Sequence, residues 1–316
     1  MSDNNSSVCL VVGAGGFIGF NLCIELHSKY KKIYACDTNF SESIEKKLKE
    51  KDIVIIEGGV ELFALDLRKY RDVEDIYYFA GKSTPSILEA ELNKGYFSDQ
   101  EILVMMLEAS VKLDSLKTFI YGSSGGTVYG DSKEKASQEN SPTAPISAYG
   151  LSKLNQESYI QFYSRRYGFS AKIARISNPY GRVLTHGSKH LQGFIDTSID
   201  RVLNKEIIEL WGDGEVVRDY IHINDLVSGI SVLAQNSVED GLYNIGSGIG
   251  YSLNDVLSIY KAMDVSCEVK YLEFRKIDLP ISILDVSKIL NKTGWRPEIM
   301  LESGISEIMN FKLKII

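Results

Sequence analysis

At 316 residues, 44% of them apolar, the chain is long enough for one large domain or two, with a packed core. Its net charge of −7 at pH 7 provides no basic field, so we expect no nucleic-acid partner. The sequence has neither a signal-peptide pattern nor an apolar run of membrane-spanning length, which predicts a cytoplasmic protein with no membrane partner.

Cysteines and histidines give no sign of a disulfide framework or a metal site. The cysteines, Cys9, Cys23, Cys36 and Cys267, show no CxxC spacing, and the first three lie in predicted buried elements. We therefore expect free thiols in a reducing cytoplasm. His186 and His190 have helical i,i+4 spacing, but no second cluster of ligands accompanies them. The prediction is that the protein binds no metal.

The first predicted unit is a strand, a glycine-rich turn and a helix. Residues 8–12 form an apolar run rich in β-branched side chains, which is typical of a strand buried on both faces. The glycines of the turn are Gly13, Gly16 and Gly19. From Phe17 and Ile18 onward, apolar residues recur at helical spacing. Because a helix N-terminus presents free N–H groups to an anion and glycines let a phosphate approach, these residues predict a pyrophosphate site.

A second apolar segment, residues 32–36, ends in Asp37. It follows the turn by about 20 residues, where a carboxylate can hold both hydroxyls of an adenosine ribose. None of the next four residues is Lys or Arg, so a 2′-phosphate would meet this negative charge unpaired. The pattern favours NAD over NADP. A structural glycine turn, with Asp37 in solvent at a strand end, is the alternative.

Further short apolar segments continue the β–α pattern. Residues 53–57 and 61–65 read as strands, and Asp66 and Leu67 close the second. An acid at the carboxyl edge of a parallel sheet is placed to meet an adenine amino group, so Asp66 and Leu67 are predicted cofactor residues. Residues 76–80 predict the next buried strand, and Ala80 at its end is a further cofactor-binding candidate.

The remaining elements are helical segments over 89–93 and 99–112, strands over 118–121 and 171–176, and a helix over 147–167 between these strands. Beyond residue 180 the alternation breaks down into small α and β pieces. We therefore predict an α/β fold, a Rossmann doubly wound parallel sheet with a smaller C-terminal α/β substrate-binding lobe. The NAD-binding domain would comprise residues 1–177 with 215–245 returning to it, and the lobe 178–214 and 246–316.

Tyr149 and Lys153 are a candidate proton-transfer pair. They lie four residues apart on a predicted helix and so share one face. A tyrosine, with an ordinary pKa of about 10, needs a nearby cation to act as a base at neutral pH, and Lys153 can supply it. The pair could exchange a proton with a sugar hydroxyl while NAD takes or returns a hydride. The alternative is a chance spacing among the chain's 18 tyrosines.

A series of motifs stands in order along the chain. They are GxxGxxG at 13–19, Asp66-Leu67, SSGGTVYG at 123–130, Tyr149-x-x-x-Lys153, NPYG at 178–181, WGDGEVVRDYIHINDL at 211–226, YNIGSG at 243–248 and GWRP at 294–297. In these motifs the chain resembles extended short-chain dehydrogenase/reductases of the NAD-dependent epimerase/dehydratase family over nearly its whole length. It looks most like UDP-glucose 4-epimerase-like proteins of bacterial surface-polysaccharide (O-antigen) pathways.

The resemblance implies roles for several residues. Tyr149 would be the acid/base, Lys153 its partner and Asp37 the ligand of the adenosine ribose. Asn178 and Arg218 would contact a nucleotide sugar, Arg218 as a cation on the diphosphate.

Arg275 would be the second diphosphate cation. For Arg218 a surface ion pair with Asp219 is the alternative. The family also implies a homodimer through the helices near 99–112 and 148–167.

Two positions depart from the family pattern. The catalytic Ser/Thr of the family falls at Gly125, which has no hydroxyl. Either Ser124 or Thr127 would then bond the sugar oxygen, with Ser124 preferred, or Tyr149 works with less help. Asp99 stands where the family often has Asn at the start of the long helix, and would cap that helix.

The resemblance, together with these residues, implies an NAD-dependent nucleotide-sugar 4-epimerase of the UDP-hexose type that acts through a 4-keto intermediate. The alternative is an NAD(P)H-dependent 4-ketoreductase of a dTDP- or UDP-4-keto-6-deoxyhexose, which would use the same residues. A 4,6-dehydratase is disfavoured because its Asp-Glu pair would fall at Gly126-Thr127. A non-catalytic NAD(H) sensor on the same fold is a further alternative, suggested by Gly125.

Overall fold

The computed structural model describes residues 7–81, 92–131, 135–181, 193–274 and 279–313. The strands are β1 Val8–Val12, β2 Lys32–Asp37, β3 Val54–Glu57, β4 Asp75–Tyr78, β5 Thr118–Ser124, β6 Ser170–Ile176, β7 Asn178–Tyr180, β8 Ile208–Trp211, β9 Val217–His222, β10 Gly241–Ile245, β11 Gly250–Ser252, β12 Val269–Leu272 and β13 Ile281–Ser282. The helices are α1 Phe17–Leu26, α2 Glu42–Lys49, α3 Gly59–Leu65, α4 Leu92–Ser110, α5 Gly125–Val128, α6 Ala148–Tyr167, α7 Phe194–Leu203, α8 Ile223–Leu233, α9 Leu253–Ala262, α10 Ser287–Thr293 and α11 Leu301–Leu313.

A seven-stranded sheet, with the order β3-β2-β1-β4-β5-β6-β10, lies at the centre of the molecule. Every neighbouring pair in it is parallel. The strand order reverses between β1 and β4, and such a switch point opens a crevice at the carboxyl ends of the strands. The predicted Rossmann doubly wound sheet is confirmed.

Both faces of this sheet are buried. In β1, Cys9 and Val11 belong to the core that contains residues of α1 and α8, whereas Leu10 and Val12 belong to the core that contains residues of α4 and α6. Successive side chains of a strand point to opposite faces, so a strand covered on both sides needs a continuous apolar run. This explains the sequence of β1.

A smaller sheet is built around β9, which pairs with β7, β11 and β13, and β8 pairs separately with β12. A third apolar core, with Tyr180, Ile199 and Ile305 among its members, belongs to this part of the chain. Within 215–245, α8 and β10 pack with the large sheet while β9 lies in the smaller one. The division into a domain and a lobe stays a prediction.

One predicted strand is wrong. Residues 61–65 belong to α3, because Gly58 and Gly59, with φ of +133° and +74°, turn the chain out of β3. The helix buries Val60 and Phe63, three residues apart, against the sheet. A short apolar run does not distinguish strand from helix by periodicity alone.

Among the described residues, no helix combines the length and the apolarity needed to span a membrane.

Candidate active site

The glycine turn between β1 and α1 lies against the end of β4. A Cβ on Gly13 would lie 2.7 Å from the backbone nitrogen of Ala80, and Gly13 has a φ of +87°. A Cβ on Gly19 would lie 2.1 Å from the carbonyl oxygen of Gly13. Both positions therefore require glycine, because the turn, α1 and the segment after β4 pack this closely only without side chains between them.

The N-terminus of α1 opens at the carboxyl end of β1. Its N-cap residue, Gly16, has extended backbone and makes no side-chain bond to the helix. The N–H groups of Phe17 and Ile18 lie in the first turn, where no acceptor exists within the helix. These groups and the helix dipole suit a pyrophosphate. The residues present therefore fit a dinucleotide.

Asp37 is the last residue of β2 and lies beside the turn. Its Oδ2 accepts a hydrogen bond from the backbone N–H of Gly15 at 2.8 Å, and its Oδ1 accepts one from that of Thr38 at 2.7 Å. These bonds hold the carboxylate at the carboxyl edge of the sheet, where its remaining lone pairs can accept ribose hydroxyls. The alternative, in which the Asp37 carboxylate is simply in solvent at a strand end, does not fit these hydrogen bonds.

Asp66 and Leu67 are placed differently from the prediction. Asp66 follows α3 rather than a strand, and its carboxylate lies 3.5 Å from Arg68 Nε and 3.3 Å from Lys69 Nζ. Leu67 begins a 3-10 turn and packs against the core on the α4 side of the sheet. The argument from a strand end is therefore wrong, and a role for either residue at the cofactor stays a prediction.

Tyr149 and Lys153 lie one turn apart near the start of α6, which Ser147 caps by accepting from the Gly150 N–H at 3.1 Å. The Lys153 Nζ donates to the carbonyl oxygen of Gly122 at 3.2 Å. It also lies 5.7 Å from the centroid of the Tyr149 ring. The structure thus brings the pair together beside the end of β5.

Burial governs the charge of this pair. It raises the pKa of Tyr149 to about 12 and lowers the pKa of Lys153 to about 8, while the charge of Asp99 raises both pKa values. At neutral pH the phenol therefore keeps its proton, and most Lys153 side chains remain charged. Tyr149 is an acid in the free site, and it becomes a base only when further positive charge stabilises its anion.

Asp99 lies inside α4, which begins at Leu92, so the predicted capping role is wrong. Its side chain is buried, and its Oδ2 lies 3.6 Å from the position that a Cβ on Gly81 would take. The long helix starts a full two turns before the polar residue that was expected to begin it. The carboxylate is therefore near the end of β4, and its charge acts on the Tyr149–Lys153 pair.

Gly125, which stands where the resemblance implies a catalytic serine or threonine, is the first residue after β5. A Cβ on Gly125 would lie 2.6 Å from Leu284 Cδ1, so the side chain of Leu284 fills the space that a serine or threonine would use. Ser124, the last residue of β5, is half-buried. The Thr127 hydroxyl is buried, and no described group hydrogen-bonds to it.

Asn178 and Arg218 lie on neighbouring strands, β7 and β9, and both line a cleft of about 240 Å³. Its apolar walls include Phe194 and Trp211. Arg218 Nη1 donates to the carbonyl oxygen of Leu279 at 2.7 Å, which holds the guanidinium at the cleft. Arg275, the other predicted cation, lies outside the described residues, as do His186 and His190.

Asp219 does not behave as a surface partner of Arg218. Its side chain is completely buried. Its Oδ1 accepts from the N–H and the hydroxyl of Ser247, and its Oδ2 accepts from the N–H groups of Gly248 and Leu284. The carboxylate therefore joins β9 to two segments of the C-terminal part, and this carboxylate lies in the interior rather than at the surface.

Sequence reasoning missed one charged residue next to the site. Glu157 lies one turn after Lys153 on α6, is almost fully buried, and forms an ion pair with Arg175 of β6. The available signal was the regular spacing of 149, 153 and 157 on one helical face.

All four cysteines are free thiols, and Cys9, Cys23 and Cys36 are buried. In the described ranges, no group of three or more His, Cys, Asp or Glu side chains is arranged to hold a metal.

Comparison with known proteins agrees with this geometry. The model of the NAD dependent epimerase/dehydratase family matches residues 9–246. A putative UDP-glucose 4-epimerase of Methanocaldococcus jannaschii is 30% identical over 96% of this chain and 97% of its own length. The dTDP-4-dehydro-6-deoxyglucose reductase of Escherichia coli is 25% identical over 97% of this chain and 98% of its own length.

Among solved structures, the UDP-glucose 4-epimerase of Thermotoga maritima with UDP-glucose superimposes with a TM-score of 0.88. It is 28% identical, and the alignment covers 98% of this chain and 99% of that one. The family model spans most of this chain, and the archaeal relative matches it nearly end to end. The chain is therefore an enzyme of the NAD-dependent epimerase/dehydratase family, with NAD as its cofactor.

Proposed function

We propose that this protein is a nucleotide-sugar 4-epimerase of the UDP-hexose type. The observation that carries the proposal is the position of Tyr149 and Lys153 beside the end of β5, at the carboxyl edge that also holds the glycine turn. A proton-transfer pair at that edge can serve a sugar hydroxyl next to a bound dinucleotide. The similarity to UDP-glucose 4-epimerases over nearly the whole chain supports the same activity.

The cofactor would lie along the glycine turn. The N–H groups at the start of α1 would hold its pyrophosphate, and Gly13 and Gly16 would allow the close approach. Asp37 would accept the adenosine ribose hydroxyls. When bound, NAD supplies a hydride acceptor and, once reduced, a hydride donor.

The nucleotide sugar would occupy the cleft of Asn178 and Arg218. Arg218 provides a fixed cation for a diphosphate, because its guanidinium is already held by the carbonyl oxygen of Leu279. Phe194 and Trp211 offer apolar surfaces suited to a base. Asn178 Nδ2 donates to the carbonyl oxygen of Asp219 at 3.0 Å, which orients the amide at the same cleft.

In the reaction, Tyr149 would accept the proton of the C4 hydroxyl and return it after the 4-keto sugar has presented its other face. Lys153 would stabilise the tyrosinate, since a cation one turn away lowers the pKa of the phenol. Burial, together with the charge of Asp99, raises that pKa to about 12, so the lysine must be protonated when the proton moves. The pair thus works as one unit.

A hydroxyl that bonds the C4 oxygen would come from Ser124 or Thr127. Ser124 is the accessible one, and the Thr127 hydroxyl lies buried one turn later on α5. We therefore propose Ser124. Ser124→Ala is expected to lower kcat by about 100-fold, the usual cost of one lost transition-state hydrogen bond, whereas Thr127→Val should leave it within about threefold. The opposite ranking would assign the role to Thr127.

The test of the function is incubation of purified protein with UDP-glucose, UDP-galactose and their N-acetyl forms, with no cofactor added. Interconversion of C4 epimers, with NAD released on denaturation, supports the epimerase. The relative from Escherichia coli makes a 4-ketoreductase the second candidate. NAD(P)H oxidation with a dTDP- or UDP-4-keto-6-deoxyhexose, without epimerisation, would favour it.

We further propose a homodimer through α4 and α6. Phe97 of α4 and Leu151, Tyr159 and Phe162 of α6 are exposed apolar side chains. The three on α6 share one face. Phe162→Glu should convert a dimer to a monomer in light scattering, and a wild-type monomer would contradict the proposal.

The four free cysteines support a cytoplasmic location, and a role in surface-polysaccharide synthesis stays a prediction.

A further inference from the structure

Two consecutive turns of α6 are attached to two consecutive residues of β5. The Lys153 Nζ donates to the carbonyl oxygen of Gly122 at 3.2 Å. The hydroxyl of the next residue, Ser123, donates to Glu157 Oε1 at 2.5 Å. Glu157 follows Lys153 by one helical turn and shares its face. These two hydrogen bonds therefore fix the positions of Lys153 and Glu157 along β5.

Arg175 closes this arrangement from the neighbouring strand. In the sheet, Arg175 of β6 pairs with Ser123 of β5. Its Nη2 donates to Glu157 Oε2 at 2.7 Å, and its Nε donates to Oε1 at 3.0 Å. Both side chains are at most 3% exposed, so the two-pronged contact compensates for their loss of water. Glu157 cannot shift unless Ser123 and Arg175 shift with it.

The other side of Arg175 is also occupied. Its guanidinium carbon lies 4.8 Å from the centroid of the Tyr129 ring, whose hydroxyl donates to Asn244 Oδ1 at 2.6 Å. Asn244 Nδ2 donates to the carbonyl oxygens of Ser137 and Asp285 at 2.8 and 3.1 Å. The cluster thus extends from α6 to the segment before α10, which makes it rigid over a long stretch of chain.

Among the described residues, four charged or titratable side chains act on the Lys153 ammonium through their charge or lie beside it. They are Asp99 on α4, Tyr121 on β5, and Tyr149 and Glu157 on α6. Burial lowers the pKa of Lys153, and the two carboxylates oppose this by favouring its charged form. The Glu157–Arg175 ion pair therefore lies close enough to Lys153 to affect its position and charge.

We propose that Glu157 is a positioning residue for the Tyr149–Lys153 pair: through Ser123 and Arg175 it sets α6 against the end of β5. Its negative charge, one turn from Lys153, also favours the charged form of that lysine. The inference rests on the proposed roles of Tyr149 and Lys153. Glu157 follows Lys153 by one turn of α6 and is hydrogen-bonded to Ser123 and Arg175. It would act through the lysine rather than on the sugar.

The first variant is Glu157→Gln, which keeps the shape and an acceptor for Ser123 but removes the charge. With kcat dependent on protonated Lys153, we expect kcat to fall on the order of 100-fold while KM stays within about twofold. The alkaline limb of the kcat profile should move to lower pH, because losing a neighbouring negative charge lowers the pKa of Lys153. Glu157→Asp keeps the charge but shortens the reach, so it should lower kcat without moving that limb.

Lys153 can also be followed without turnover. In protein labelled with ¹³C at the lysine ε-carbon, and assigned with Lys153→Arg, the resonance should titrate at lower pH in Glu157→Gln than in wild type. Tyr163→Phe is the matched control, because it removes a bond from the far part of α6 to Glu108 of α4. It should lower the melting temperature while leaving kcat and the Lys153 titration at wild-type values.

An unchanged Lys153 titration in folded Glu157→Gln overturns the inference, as does an equal shift in Tyr163→Phe. Where Glu157→Gln does not fold, Glu157→Asp decides, and wild-type kcat in that variant overturns the inference. Wild-type protein that shows no epimerisation but whose Lys153 titration moves in Glu157→Gln would refute the proposed function and leave the positioning role standing.

Discussion

Adding a side chain at Gly125 tests how the site is packed. A Cβ there would lie 2.6 and 2.9 Å from the two methyl carbons of Leu284 and 3.1 Å from the carbonyl oxygen of Arg175. Leu284 is 1% exposed and packs on Val128 and Tyr129, and Asp219 accepts from its backbone N–H, so it cannot withdraw easily.

Overpacking of this kind costs about 1–3 kcal/mol, and replacing glycine in a helix by alanine returns up to about 1 kcal/mol. Gly125→Ala should therefore lower the free energy of unfolding by about 1–2 kcal/mol in urea. Leu284→Ala alone should lower it by about 2–5 kcal/mol by creating a cavity.

In Gly125→Ala/Leu284→Ala the clash is absent, so the two effects should fall short of additivity by at least about 1 kcal/mol. Gly126→Ala is the matched control on the same helix, because its nearest neighbours, Asn178 and Ser282, are 3.9–4.0 Å from the added carbon. It should not couple to Leu284→Ala. Additivity within about 0.5 kcal/mol for Gly125 and Leu284 would refute the packing account.

Two further variants probe the cofactor and the buried charges. Asp37→Asn should weaken NAD binding by about 10- to 100-fold in calorimetry, since hydrogen bonds to a charged acceptor contribute about 1.5–3 kcal/mol; unchanged affinity would remove Asp37 from the ribose site. Burial raises the pKa of Asp196 to about 7, so the folded protein holds a proton that the unfolded chain releases near its ordinary pKa of 3.8. Stability linked to this group is present below about pH 4 and is lost as pH rises through 7, by up to roughly 4 kcal/mol. Asp196→Asn should flatten that decline in urea titrations, and an unaltered slope would contradict the assignment.

Local sequence patterns predict the first unit of this fold well. The β1 run, the glycine turn and Asp37 carry their signal within about 30 residues, because a βαβ unit is a local structure. The spacing of Tyr149 and Lys153 is likewise local to one helix. Where glycines precede an apolar run, as at Gly58 and Gly59 at the start of α3, the same run of residues fits a strand or a helix, and the turn geometry decides between them.

The rest depends on contacts between distant parts of the chain. Leu284 fills the space beside Gly125, and Arg175 pairs with Glu157, only because the sheets bring these segments together. No periodicity reports such contacts. The continuation of α4 through Asp99 was also not predicted, because a polar residue inside a helix resembles a cap.

In the proposed mechanism, hydride leaves and returns to C4 within one site while Tyr149 moves the proton. The most direct measurement is epimerisation of UDP-galactose carrying deuterium at C4, in ordinary water and without added cofactor. We expect UDP-glucose that retains the deuterium at C4, and a reaction slower by several orders of magnitude in Tyr149→Phe with NAD still bound. Product without deuterium at C4, or near-normal turnover in Tyr149→Phe, would contradict it.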